Sequence, residues 1–211
     1  MSVQLRDGDR VLFLGDSITD AGRDRTADDL GTGYPALIAA WFTASHPDHA
    51  VSFRNRGVSG FRARDLRARW EEDCLAQQPT VVSIMIGIND TWRRFDKDDP
   101  TSTEDFERDY RAVLEQTVAQ LDVRLLLIEP FLLPVKDEQA GWREDLDPKI
   151  AAVRRLAAEF SATLVPADGN FAAAAAARPG RIWAADGVHP TLEGHALLAR
   201  QWLAAAPYRR G

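Results

Sequence analysis

Short apolar runs alternate along the chain with longer stretches in which apolar residues recur every three or four positions. The first run, Val11-Leu12-Phe13-Leu14, feeds directly into Gly15-Asp16-Ser17-Ile18-Thr19. An apolar run of that length, closed by a glycine turn, predicts a buried strand over about residues 10–14. Val51–Asn55, Val81–Ile86, Leu125–Ile128 and Thr163–Val165 predict further strands. Helical spacing predicts a helix over Tyr34–Ser45, with Leu37, Ile38, Trp41 and Phe42 on its apolar face. A second, over about 62–77, sets Leu66, Trp70 and Cys74 four residues apart. A third is capped by Ser102 or Thr103 and faces inward with Phe106, Tyr110, Val113, Leu114, Thr117 and Leu121. Asp147-Pro148 reads as a cap followed by proline at the first helical position, opening a helix with Ile150, Val153, Leu156, Ala157 and Phe160 inward. The alanine run 172–177 and residues 191–204 complete the set. The remaining stretches predict loops: Asp20–Gly33, the polar turn Gly87-Ile88-Asn89-Asp90 with the charged segment after it, and Phe131–Asp145.

Strands that alternate with helices build a parallel sheet covered on both faces. The expected fold class is therefore α/β, a three-layer α/β/α sandwich around a five-stranded parallel sheet. Right-handed crossovers carry the turns after the first three strands to one edge of that sheet, the carboxyl edge, where open α/β proteins bind ligands. Those turns hold Ser17, Gly57 and Asn89.

Composition narrows the function. The 211 residues predict one domain, residues 1–211, with 45% hydrophobic and 27% charged residues. A net charge of −6 argues against nucleic acid or an anionic membrane as partner. No apolar run has the length of a bilayer span, and the polar segment Met1–Arg10 lacks the apolar core of a secretory signal. Cys74 is the only cysteine, which rules out an intrachain disulfide. A cytoplasmic protein is expected.

Acyl transfer by a serine needs an activated hydroxyl, a base, a group that orients the base, and donors for the oxyanion. Ser17 can supply the hydroxyl, although a serine in such a position, taken alone, reads as a turn residue. Among the histidines, His46 and His49 flank a proline in what reads as a solvated turn, and His195 falls inside the last helix. His189 lies in Asp186-Gly187-Val188-His189-Pro190, at a loop-to-helix junction. Asp186 can turn back onto Nδ1 of His189 and leave Nε2 free for Ser17. In isolation the same pair is also a plain loop carboxylate and a helix-start histidine. Backbone N–H groups of Ser17 and Gly57 and the Asn89 amide can hold an oxyanion; Asn89-Asp90 alone is also an ordinary turn. No cluster has zinc-ligand spacing, and no metal or cofactor is called for.

Taken together, these blocks resemble the SGNH hydrolases of the GDSL family. Gly15-Asp16-Ser17-Ile18-Thr19 is similar to the nucleophile block, with Ile18 in place of the leucine of the family's name. Asn55-Arg56-Gly57, Gly87-Ile88-Asn89-Asp90 and Asp186-Gly187-Val188-His189-Pro190 follow in the family's order. The resemblance implies a flavodoxin-like sandwich, a catalytic triad of Ser17, Asp186 and His189, and an oxyanion hole of Ser17, Gly57 and Asn89. The α/β-hydrolase elbow Gly-x-Ser-x-Gly is absent, since Gly57-Val58-Ser59-Gly60-Phe61 fails at its last position. Leu30–Tyr34, Asp65–Asp73 and Ile84–Arg93 are similar to the intracellular serine acetylxylan esterases of the family. That likeness implies an acetylated saccharide substrate, and a homo-oligomer as in some relatives. Trp92, Trp142 and Trp183 read as loop residues. Trp92, Trp183 and Tyr34 are candidate substrate contacts, with loop packing as the alternative for the tryptophans. Trp41, Trp70 and Trp202 read as core, and Arg93 and Arg94 as surface charges. A broader short-chain esterase, thioesterase or lysophospholipase, a non-catalytic carbohydrate-binding protein, and a nucleotide or flavin binder are the competing readings.

Overall fold

A computed structural model describes residues 3–208 except Arg25 and Asp28. The ends of the expected domain, and those two positions of the loop Asp20–Gly33, therefore lie outside the described residues. The five expected strands form as β1 (Arg10–Gly15), β2 (Ser52–Asn55), β3 (Val81–Met85), β4 (Arg124–Ile128) and β5 (Thr163–Val165). They pair in parallel in the order β2-β1-β3-β4-β5. β1 is flanked on both sides: Phe13 stands beside Asn55 of β2 on one and Ser83 of β3 on the other.

Helices cover both faces. On one side α1 (Tyr34–Ser45), α7 (Ala167–Ala177) and α8 (Leu192–Ala205) pack Ile38, Phe42, Phe171 and Trp202 into one core with Phe13. On the other, α2 (Ala63–Ala68), α5 (Thr103–Gln120) and α6 (Arg143–Glu159) pack Leu66, Tyr110, Leu114 and Leu156 into a core with Leu12 and Leu14. The alternation of Leu12, Phe13 and Leu14 between the two layers is the period-2 geometry of a strand. Each such side chain, taken fully from water, contributes roughly 1.5–3 kcal/mol, so β1 is a firm base for the turn that follows it. Two buried tryptophans keep their N–H bonded, as burial requires. Trp70 donates to Thr117 Oγ1 at 2.9 Å and Trp202 to Ser83 Oγ at 2.9 Å.

Several local expectations are corrected. The helix expected over 62–77 breaks at Arg69 (φ −115°, ψ 11°), continues as α3 (Trp70–Asp73) and ends in a 3-10 turn, Leu75–Gln77. Past the break, Trp70 points inward onto Thr117. Cys74 is buried as expected, and loss of water pushes its thiol up to about 12. Asn89 and Trp92 are not in a loop: Ile88–Asp96 is a helix, α4, with Asp90 in its first turn and Arg93 and Arg94 in its last. The two arginines in the last turn complement the helix dipole. The segment Phe131–Asp145 buries Phe131, Leu132 and Leu133, forms a 3-10 helix at Asp137–Trp142 and runs straight into α6. Pro148 therefore lies inside α6 rather than at its start. Trp41 is 64% exposed, because α1 turns Tyr34, Ile38 and Phe42 inward and Trp41 falls off that stripe. The rings of His46 and His49 pack on Tyr208, whose hydroxyl meets His49 Nδ1 at 2.7 Å.

Candidate active site

Ser17 sits two residues beyond β1, in a turn closed by Asp20 N–H donating to the Asp16 carbonyl at 2.9 Å. The Oγ of half-buried Ser17 lies 2.9 Å from His189 Nε2. His189 Nδ1 lies 2.7 Å from Asp186 Oδ2, while Asp186 Oδ1 accepts the backbone N–H groups of Val188 (3.0 Å) and His189 (2.7 Å). Gly187 makes this reversal of the chain feasible. Its φ of +88° is a left-handed conformation that favours glycine, and a Cβ there would lie 2.4 Å from the Leu133 carbonyl. Gln139 braces the same loop, its Nε2 donating to the Asp186 carbonyl at 2.7 Å.

Charge follows geometry. Burial pushes Asp186 upward, but hydrogen bonds from the His189 ring and from two backbone N–H groups outweigh it and hold the carboxyl well below its ordinary value. His189 is raised, first by its bond to Asp186, with burial pulling down and the Asp186 and Asp16 charges pulling up; Arg93 opposes them. Asp16 and Asp90 are both buried, and desolvation lifts each to about 7. Asp16 Oδ1 accepts Ile18 N–H at 3.0 Å, and Asp90 Oδ2 accepts Ala63 N–H at 3.2 Å.

Two oxyanion donors besides Ser17 N–H are expected from the sequence, Asn89 and Gly57. Asn89, in the first turn of α4, is 2% exposed and donates through Nδ2 to the Phe61 carbonyl at 3.1 Å. A carboxamide carries two N–H bonds, so a second one is left to donate. Gly57 lies against the Ser17 turn, where a Cβ would stand 2.7 Å from Asp20 N. Its N–H donates to Asn55 Oδ1 at 2.9 Å, and its carbonyl accepts from Arg23 Nη2 at 2.6 Å. Gly57 must therefore share or exchange its N–H to reach a substrate. Asn55 also ties the β2 end to this turn, donating to the Thr19 carbonyl at 2.6 Å.

The candidate substrate contacts divide. The Trp92 ring lies 5.7 Å from the His189 ring and is half-buried. Trp183 is half-buried against the core, its carbonyl accepts Thr191 N–H at 2.9 Å, and its indole N–H is buried with no partner among the described residues. Tyr34 is corrected: it is completely buried, and its hydroxyl meets Thr19 Oγ1 at 3.0 Å, so it supports the serine turn from below. Its backbone N–H donates to Nδ1 of His195, which burial drives down to about 4 and so keeps neutral. Arg93 is corrected as well. It is half-buried, with Nη2 donating to Asn89 Oδ1 at 3.2 Å and Cζ 5.3 Å from the centre of the Trp92 ring. The spacing of Ile88, Trp92 and Phe95 at i, i+4 and i+7 is the sequence signal for the helix that brings it there. Among the described residues no cluster of His, Cys, Asp and Glu could hold a metal ion, and no helix is long and apolar enough to cross a membrane.

A parallel α/β/α sandwich with serine, histidine and aspartate bonded at the carboxyl edge of its sheet has the architecture of an SGNH hydrolase. The chain belongs to the GDSL-like lipase/acylhydrolase family, which it matches over residues 13–197, and is a carboxylic ester hydrolase. It is 36% identical over 210 residues to an acetylxylan esterase of Geobacillus stearothermophilus, covering 95% of each chain. The crystal structure of Axe2, an acetylxylan esterase from that organism, superposes with a TM-score of 0.89 at 35% identity, covering 99% of this chain and 98% of that one. A protein from Parabacteroides merdae described as a GDSL-like lipase superposes with a TM-score of 0.92 at 38% identity, covering 97% and 98%.

Proposed function

We propose that the chain is a serine acetylesterase that removes acetyl groups from acetylated carbohydrates, xylo-oligosaccharides in particular, through an acetyl-enzyme. The observation that carries this reading is the continuous hydrogen-bond chain Ser17–His189–Asp186 in a chain so similar to acetylxylan esterases. His189 Nε2 takes the Ser17 proton as Oγ attacks the acetyl carbonyl. Asp186 keeps the proton on Nδ1 and stabilises the imidazolium that forms. The oxyanion is held by Ser17 N–H, by the second N–H of Asn89 and by Gly57 N–H shared with Asn55, each preorganised donor being worth about 3 kcal/mol in the transition state. His189 then protonates the sugar oxygen as the carbon–oxygen bond breaks. Water, deprotonated by the same imidazole, attacks acetyl-Ser17 and releases acetate.

Arg93 has a positioning role in this scheme. By occupying Asn89 Oδ1 it fixes which end of the amide faces the oxyanion and polarises its N–H bonds. Residues 1–211 act as one hydrolase domain, which we place in the cytoplasm, where the free thiol of Cys74 stays reduced. Rates of acyl release from acetate, octanoate and palmitate esters test the reading: acetate fastest is expected, and faster turnover of the long chains would replace it with a lipase or lysophospholipase.

A further inference from the structure

Between α4 and the 3-10 helix Asp137–Trp142 lies a cavity of about 470 Å³, lined among others by Trp92, Phe95, Asp96, Glu138, Trp142 and Asp186. Its walls are of two kinds. Phe95 stacks parallel on Trp142, with ring centres 5.2 Å apart and planes 10° apart, and Trp92 meets the same Trp142 ring at 5.7 Å. Lys136 and Glu138 also line the cavity, as does Asp96, whose carboxylate is paired with Arg93. Trp142 anchors the aromatic wall at 7% exposure, whereas Phe95 is 39% exposed. Arg94 lies over the Phe95 ring at 5.4 Å and is itself paired with Glu144 and Asp145.

Asp186 bonds Nδ1 of His189 and Ser17 meets Nε2, so a cavity bordered by Asp186 lies across the imidazole from the nucleophile. The acyl group must sit at Ser17 and the Asn89 amide. The alcohol side of the ester leaves at His189 Nε2, and Trp92, which borders the cavity, lies 5.7 Å from the His189 ring. Aromatic walls suit the C–H faces of a pyranose ring, and the Glu138 carboxylate and Lys136 ammonium at the rim suit its hydroxyls. An acyl chain would meet the charges of Glu138 and Lys136 at the same rim.

We propose that this cavity is a second saccharide subsite, which holds a neutral pyranose unit next to the ester-bearing one and selects oligosaccharide esters over acetylated monosaccharides. The proposal rests on the acetylesterase reading for its substrate, and the experiment separates the two. Steady-state kinetics on acetylated xylotriose and on p-nitrophenyl acetate would be compared for the unaltered enzyme, Phe95→Ala and Glu138→Ala. Titration of deacetylated xylotriose by calorimetry on the same proteins reads the subsite without turnover. The expected result is a fall of about tenfold in the ratio of kcat/KM for the oligosaccharide over the nitrophenyl ester, carried by KM, with matching loss of xylotriose binding. A ratio and a binding constant that stay at the unaltered enzyme's values in both variants would overturn the subsite. Failure to release acetate together with retained, Phe95-dependent xylotriose binding would instead overturn the acetylesterase reading and leave the subsite standing.

Discussion

Arg93 Nη2 donates to Asn89 Oδ1 at 3.2 Å, one helical turn along α4, and leaves Asn89 Nδ2 bonded to the Phe61 carbonyl with an N–H to spare. Residues four apart on a helix are neighbours, so α4 brings its own brace to the proposed oxyanion donor. The Arg93 charge also opposes the rise of the His189 pKa. Arg93→Met should lower kcat about tenfold with KM little changed, a fraction of the loss expected from removing the donor itself. It should also move the acid limb of kcat/KM to higher pH, because His189 loses a neighbouring positive charge. Arg93→Lys should restore the limb better than it restores kcat, since an ammonium keeps the charge but not the guanidinium geometry. A pH profile unmoved in Arg93→Met would show that the arginine charge does not act on His189.

Asn89→Ala removes the amide outright. Turnover should fall by roughly 10²–10³. The helix should persist, because Gly87 rather than Asn89 is its cap and alanine favours a helix interior. Circular dichroism and kcat measured on the same preparation check both halves, and near-complete retention of kcat would remove Asn89 from the oxyanion site.

His189, the proposed base, must be neutral to act. His189 is raised above its ordinary 6.5, so kcat/KM should climb with pH through a value above 6.5 and be lost as pH falls below it. Asp186→Asn takes away the largest cause of that rise. The acid limb should then move to lower pH, and kcat should drop by about 10³–10⁴ because the wrong tautomer of His189 is favoured. A limb that moves upward would contradict the Asp186–His189 pairing.

Much of this site is legible in the amino-acid sequence. The turn after β1 is evident because a run of four apolar residues ends abruptly in Gly15-Asp16-Ser17, and the alternation of strands and helices carries Gly57 and Asn89 to the same edge. Asp186 and His189 are legible as a spaced pair. The features that escape a sequence reading are set by tertiary context. In Ile88–Asp96 the Asn-Asp pair and the charges mask a helix whose apolar positions number only a few. Tyr34 is a candidate substrate contact in the sequence, whereas in the fold it is fully buried and Thr19 meets its hydroxyl. Trp41 lies next to the stripe that α1 buries, and a shift of one position on a helix turns a side chain by about 100°. The depth at which Asp16 and Asp90 lie has no sequence signature.

That depth has a consequence for stability. Desolvation holds the Asp90 carboxyl protonated up to about 7 in the fold, against an ordinary value of 3.8. Between those two values the folded state binds more protons than the unfolded one, so Asp90 makes stability fall as pH rises and level off above about 7. Asp90→Asn removes this slope. Its Tm relative to the unaltered protein should rise by a few degrees between about pH 5 and pH 8, at roughly 2–4 °C per kcal/mol for a chain of this size. A difference in Tm that is constant over that range would contradict a protonated Asp90.

The central claim is that Ser17, activated by His189, carries the acetyl group of a carbohydrate ester. The measurement that bears on it most directly is acetate release from acetylated xylo-oligosaccharides by the unaltered protein and by Ser17→Ala, followed side by side with the fold of each checked. Steady acetate release by the first, and release reduced to the level of the uncatalysed reaction or near it by the second, is the predicted result. Comparable release by both proteins would show that Ser17 is not the nucleophile.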